Sequence, residues 1–196
     1  MNALYWVAKH IAAVLNRCVF FLRVKGRENT DNKGRVMIIS NHVSWFDPVM
    51  LGGLFKRKIH YIAKAELFKS KVSAYLLSRL GAFPVARGQG DYGAIKKSFE
   101  ILKEDKCLGI FPEGTRYEKG EMGEFQRGAA AIALQMDAKI IPVYFMGEFK
   151  AFRQIKVIIG KAFSLKDMLN PKDKTAVDEG TRILKDTLLR LKQELG

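Results

Sequence analysis

VMIISNHVSWFDPVML, residues 36–51, runs from a short apolar stretch through a polar turn into a second apolar stretch that opens on a proline. A brief, wholly apolar run fits a strand buried on both faces. Pro48 suits the first position of a helix whose cap is Asp47. The segment therefore reads strand, tight turn, helix, and the same alternation continues along the chain. Strand-like runs fall at 36–40, 59–63, 82–86, 107–111, 140–145 and 155–160, separated by helical stretches at 48–55, 65–80, 91–104, 127–136 and 173–194. This predicts an α/β fold with a mostly parallel central sheet flanked by helices. In such sheets ligands collect beyond the carboxyl ends of the strands, so the turns that follow the strands are where chemistry belongs.

With 196 residues, 48% of them hydrophobic and 28% charged, the chain is long enough for one compact core and too apolar to be disordered. Its 34 Lys and Arg against 20 Asp and Glu leave a net charge of +14, a field that concentrates anions. Nucleic acid, anionic lipid headgroups, phosphorylated small molecules and an acidic carrier protein all fit that sign, as does plain solubility. Cys18 and Cys107 both sit in apolar surroundings and read as buried thiols rather than a disulfide pair. His10, His42 and His60 show no ligand spacing, so no metal is expected.

The first 25 residues differ in kind. On a helix, Leu4, Val7, Ile11, Val14, Leu15, Cys18 and Leu22 share one face, with Lys9, Asn16 and Arg23 opposite. Lys9, His10, Asn16 and Arg17 interrupt the stretch too often for a membrane span, and no cleavage site marks a secretory signal. A basic amphipathic helix with Trp6 near its start fits one lying in the membrane interface. The alternative is that its stripe packs inward on the domain.

His42 follows the first predicted strand by two residues, and a tight turn brings the Asp47 carboxylate within reach of one imidazole nitrogen. A carboxylate there fixes the tautomer and stabilises the imidazolium, which makes His42 a general base with its orienter. The plain alternative is a helix cap beside a surface histidine. IFPEGTR, residues 110–116, also follows a strand and gathers Glu113, Gly114, Thr115 and Arg116 in one turn, with a guanidinium fork suited to phosphate. Arg87, at the end of LGAFPVAR, is a second anion candidate, and Pro142 in KIIPVYF reads as a buried strand with its proline at an edge or bend.

In this order and spacing the four pieces resemble the glycerolipid acyltransferase family, and within it the small bacterial 1-acyl-glycerol-3-phosphate acyltransferases. NHVSWFD at 41–47 fits the family's N-H-x-x-x-x-D box, GAFPVAR at 81–87 its glycine-to-arginine box, FPEGTR at 111–116 the box of that sequence, and IIPV at 140–143 its proline box. Pro84 stands where the family often carries an aromatic residue, and Ala86 where it often carries an acid.

The resemblance implies acyl transfer from a thioester, acyl-coenzyme A or acyl carrier protein, to the hydroxyl of a lysophospholipid, with no cofactor beyond that donor. On this reading His42 is the base and Asp47 its orienter. Arg87 and Arg116 hold the acceptor phosphate, Glu113 orients Arg116 or the glycerol hydroxyls, and Gly114 and Thr115 shape the same turn. Residues 1–25 then form a membrane-associating helix and 26–196 the acyltransferase domain, placed at an anionic membrane surface on the cytoplasmic face. Related acceptors such as glycerol-3-phosphate fit the same boxes. A non-catalytic lipid-binding protein or a basic nucleic-acid-binding module fits the charge, but no nucleic-acid-binding motif accompanies it.

Overall fold

The computed structural model describes residues 3–85, 92–117, 121–147 and 149–196. Its strands are β1 (Arg23–Lys25), β2 (Val36–Ser40), β3 (Ile59–Lys64), β4 (Ala82–Val85), β5 (Cys107–Ile110), β6 (Lys139–Met146) and β7 (Lys156–Ile159). The helices are α1 (Ala3–Cys18), α2 (Asp47–Leu54), α3 (Lys71–Arg79), α4 (Tyr92–Lys103), α5 (Gly128–Met136) and α6 (Ala176–Gln193). The strands form one sheet in the order β1-β7-β6-β2-β5-β3-β4, with every pairing parallel except β6 with β7.

The apolar run at Val36–Ser40 lies at the middle of this sheet and is buried at every residue. Its side chains alternate between two cores, as the pleat requires. Met37 and Ile39 join a core built with α4, α5 and α6, while Val36 and Ile38 join another with Met50 and Leu51 of α2. Pro142 is not at an edge: β6 pairs on both sides. The proline is tolerated because its missing donor falls at a break, between the bridge from Ile140 to Phe163 and the ladder that starts at Val143; its carbonyl still accepts the Gly160 N–H at 2.8 Å.

Three further expectations are corrected. The helix expected over 65–80 divides into a 3-10 turn at Ala65–Phe68 and α3, because Ser70 caps the second helix by accepting the Ser73 N–H at 3.1 Å. Arg23, placed on the first helix by periodicity, begins β1 instead, since α1 ends at Cys18. Cys18 is exposed; Cys107 is buried, and burial pushes its thiol up to about 12, leaving it unreactive.

The first helix packs through the face that looked polar. Tyr5, Ala12 and Asn16 are buried, while Leu4, Trp6, Val7, Ile11 and Val14 are 37 to 60% exposed. Three polar contacts fasten it: Tyr5 Oη accepts the Ile59 N–H at 3.0 Å, Asn16 Nδ2 donates to the Met50 carbonyl at 3.1 Å, and Lys9 Nζ donates to the Lys56 carbonyl at 2.6 Å. Close approach to α2 rests on Gly53, where a Cβ would lie 2.8 Å from Asn16 Nδ2 and 3.0 Å from the α1 backbone. Among the described residues no helix is long and apolar enough to cross a membrane.

Candidate active site

The turn between β2 and α2 closes around one carboxylate oxygen. Asp47 is fully buried at the start of α2, and its Oδ2 accepts the N–H of Val43 at 2.7 Å, the N–H of Ser44 at 2.8 Å and His42 Nδ1–H at 2.7 Å. The two amide bonds hold the carboxylate in place, and the carboxylate fixes the imidazole with Nδ1 protonated. The other ring nitrogen has no partner among the described residues, and the ring lines a large cavity. The Ser44 Oγ accepts the Phe46 N–H at 3.2 Å.

The turn after β5 supplies the second half. Glu113 is 3% exposed, and its carboxylate accepts the His42 N–H at 2.9 Å and the Gly123 N–H at 3.0 Å. Burial raises its carboxyl above the usual range, against the pull of those two amides and of the nearby His42. Glu113 therefore ties the two turns together, and orienting Arg116 is not its contact in the structure. The Tyr117 N–H donates to the His42 carbonyl at 2.9 Å and makes a second tie. Gly114 adopts φ +65°, the left-handed conformation that lets this turn reverse.

Arg116 takes a different partner: its guanidinium lies 3.6 Å from the centre of the Trp45 ring. No carboxylate pairs with Arg116 among the described residues, so its forked donors stay available to an anion at the cavity. Gly114 and Thr115 line the same cavity. The site thus brings together His42, Asp47, Glu113, Gly114, Thr115 and Arg116; Arg87 lies outside the described residues.

Sequence reasoning missed three aromatic groups. Phe111 stacks on His42 with ring centroids 4.2 Å apart, and Tyr61 lies parallel to Phe111 at 6.3 Å. Tyr61 fits because Gly109, its neighbour across the sheet, has no side chain; a Cβ there would meet the ring at 2.5 Å. Trp45 sits at a variable position of its box and offered no signal. The pairing of Tyr61 with Gly109 needs the strand order, which no single segment carries.

The N–H groups of His42, Val43 and Ser44 are all occupied by Glu113 or Asp47, so they are not free to stabilise an oxyanion. The cavity, about 930 Å³, runs from Tyr5 and Ala12 of α1 past His42 to Ile95 and Ile132 between α4 and α5. It is mostly apolar, with Lys9 of α1 and Lys64 of β3 adding to the polar groups of the two turns. Among the described residues no group of three or more His, Cys, Asp or Glu is arranged to hold a metal.

Known proteins resemble this chain in sequence and in fold. A 1-acyl-sn-glycerol-3-phosphate acyltransferase of Bacillus subtilis (strain 168) is 32% identical over 180 residues, covering 89% of this chain and 89% of its own. A lyso-ornithine lipid O-acyltransferase of Pseudomonas aeruginosa is 30% identical over 140 residues, which are 71% of this chain and 51% of that one. The crystal structure of the 1-acyl-sn-glycerophosphate (LPA) acyltransferase PlsC from Thermotoga maritima superposes with a TM-score of 0.76 at 22% identity, covering 98% of this chain and 78% of that one, and so shares the fold. The model of the family described as Acyltransferase matches residues 21–146, more than half of the chain and all of both turns. The chain belongs to the Acyltransferase family.

Proposed function

We propose that the protein transfers an acyl group from a thioester to the free hydroxyl of 1-acyl-glycerol-3-phosphate, forming phosphatidic acid in phospholipid biosynthesis. The observation that carries this is the pair of His42 and Asp47 at 2.7 Å, fixed by backbone and opening on an apolar cavity beside an arginine that no described carboxylate pairs. The free ring nitrogen of His42 takes the proton of the acceptor hydroxyl as that oxygen attacks the thioester carbonyl. Asp47 stabilises the imidazolium so formed. As the carbon–sulfur bond breaks, the imidazolium returns the proton to the thiolate.

Arg116, held on Trp45, and Arg87, from its place in the second box, bind the acceptor phosphate. Each charge-assisted hydrogen bond contributes roughly 1.5 to 3 kcal/mol. The cavity takes acyl chain, and its volume of about 930 Å³ is ample for one. The donor is acyl-coenzyme A or an acylated carrier protein, and no further cofactor enters the steps. The exposed stripe of α1 supports a peripheral or monotopic placement at an anionic membrane, on the cytoplasmic face where the donor is made.

The likeness to the lyso-ornithine lipid enzyme makes the acceptor the point to test. A panel of 1-acyl-glycerol-3-phosphate, glycerol-3-phosphate, lyso-ornithine lipid and a choline lysophospholipid, each with one acyl-coenzyme A, should yield product chiefly with the first. Equal product from an acceptor without a phosphomonoester would overturn the acceptor assignment. Thiol release without any lipid product would overturn acyl transfer itself.

A further inference from the structure

A second concave site lies at the other edge of the sheet, where β3 and β5 begin. It is a shallow, open concavity of about 590 Å³, lined by Lys56, Arg57, Lys58, His60, Asp105 and Lys106 with Cys107. His42 and Arg116 follow the carboxyl ends of β2 and β5, so a strand's length, about 13–20 Å for four to six residues, separates the two places. An anion held at one is not the anion held at the other.

The cations here are unevenly matched. Lys56 pairs with Asp31 at 3.2 Å and Lys106 pairs with Glu104. Arg57 and Lys58 are half-buried, yet their hydrogen bonds go to backbone carbonyls: Arg57 to those of Asn32 and Asp105, Lys58 to that of Arg79. The one carboxylate lining the site, Asp105, lies 3.9 Å from Arg35. A half-buried cation without a countercharge is costly, and further cations nearby add to that cost. The surroundings register this, since burial, Lys106 and Arg79 all lower the Lys58 pKa. His60 is lowered by burial and by Lys58 and Lys106, against the Cys107 carbonyl and Glu104.

We infer that this pocket at the amino ends of β3 and β5 is a phosphate-binding site, built on Arg57 and Lys58 and separate from the acyl-transfer centre. A planar guanidinium fork and an ammonium lining one concavity suit a tetrahedral oxyanion better than a single carboxylate. The phosphate belongs either to a lipid headgroup or to a soluble phosphate compound. The site adjoins α1, which reaches it through the bond from Lys9 to Lys56 and through Lys58 lying 5.2 Å from the Tyr5 ring centre. The inference does not depend on the acyltransferase reading, because none of these residues enters that chemistry.

His60 is a local reporter. Its imidazole titration, followed by NMR in the full chain, is compared with and without inorganic phosphate, and in micelles of short-chain phosphatidylglycerol against phosphatidylcholine. The comparison is repeated in the double variant Arg57→Gln, Lys58→Gln. Occupancy by an anion should raise the His60 pKa in the wild type and leave the variant unmoved. A response to inorganic phosphate assigns a soluble ligand, and a response to phosphatidylglycerol alone assigns a headgroup. If neither moves His60, or if the variant responds equally, the site is not there. Should the double variant fail to fold by circular dichroism, Lys58→Gln alone serves and should weaken the response severalfold. Acyl transfer in detergent should continue in the variant at the wild-type rate, and its loss there would overturn the separation of the two sites.

Discussion

At the scale of single residues, the turn from 42 to 47 separates what holds the site together from what performs the chemistry. His42→Ala removes the proposed base and should lower turnover by about 10²- to 10⁴-fold with the circular dichroism unchanged; a variant keeping a tenth of wild-type turnover would sink the assignment. Asp47→Asn and Asp47→Ala should differ. Because one oxygen takes all three hydrogen bonds, an asparagine oxygen can keep the turn while losing the charge that stabilises the imidazolium. Asp47→Asn should therefore fold normally and turn over slowly, whereas Asp47→Ala frees two amides and loosens the whole turn. Trp45→Ala tests the arginine: losing a cation–π contact of about 0.5 to 2 kcal/mol should raise KM for the acceptor by roughly 2- to 30-fold, with thioester hydrolysis unaffected. Loss of both reactions together would make Trp45 structural. Glu113 gives a pH prediction. Burial raises its folded carboxyl above the unfolded value of 4.5, so between those two values the folded state holds more protons and stability falls as pH rises through the window. Glu113→Gln should abolish that slope in denaturant titrations and cost about 1 to 3 kcal/mol, because the His42 and Gly123 N–H groups bond different carboxylate oxygens and an amide has only one. An unchanged slope in the glutamine variant would show that another group is responsible.

At the scale of elements, the sheet sets the reach of the site. Gly109 of β5 leaves room for Tyr61 of β3, Tyr61 lies against Phe111, and Phe111 lies against His42. Gly109→Val would drive a branched side chain into the Tyr61 ring and should cost about 1 to 3 kcal/mol by overpacking. It should also lower kcat, because the displaced ring presses on the stack that ends at the base; a variant with wild-type kcat and reduced stability would uncouple the stack from catalysis. This relation shows where the sequence was readable and where it was not. The strands expected at 36–40, 107–111 and 140–145 were legible because buried parallel strands are continuous apolar runs, and the motif turns were legible because they follow them. β1 was not, since three residues with alternating exposure carry no pattern of their own and owe their strand to pairing with β7. The role of Glu113 was equally hidden: its partners are backbone amides, and an amide leaves no mark in the sequence. Periodicity located the stripe of α1, but could not tell which face meets the domain. That was decided by Gly53 and by Ala12, small residues that let two helices approach closely.

At the scale of the whole molecule, we propose that the outward stripe and the charge of +14 act on the same partner, an anionic membrane surface. Leu4, Trp6, Val7, Ile11 and Val14 remain half-exposed on a helix whose other face is fastened by Tyr5, Lys9 and Asn16, so water is an unfavourable surrounding for them and a bilayer interface a favourable one. Ile11 and Val14 are 55% and 60% exposed, so charging them should leave the fold intact. Burying each in the interface contributes on the order of 1 kcal/mol, and a glutamate in its place adds repulsion from an anionic surface. Ile11→Glu with Val14→Glu should therefore weaken binding to anionic vesicles by at least about tenfold, while turnover on a short-chain, water-soluble acceptor stays near wild type. Salt separates the two contributions. Raising ionic strength screens the basic surface and should reduce wild-type binding in part, leaving the apolar remainder, because the Debye length contracts to about 3 Å at 1 M salt while the hydrophobic part persists. In the double variant the same salt should remove nearly all binding. A double variant that sediments with vesicles like the wild type at physiological salt would place the membrane contact elsewhere, with the exposed Phe21 and Phe152 pair, ring centroids 6.4 Å apart, the next surface to charge.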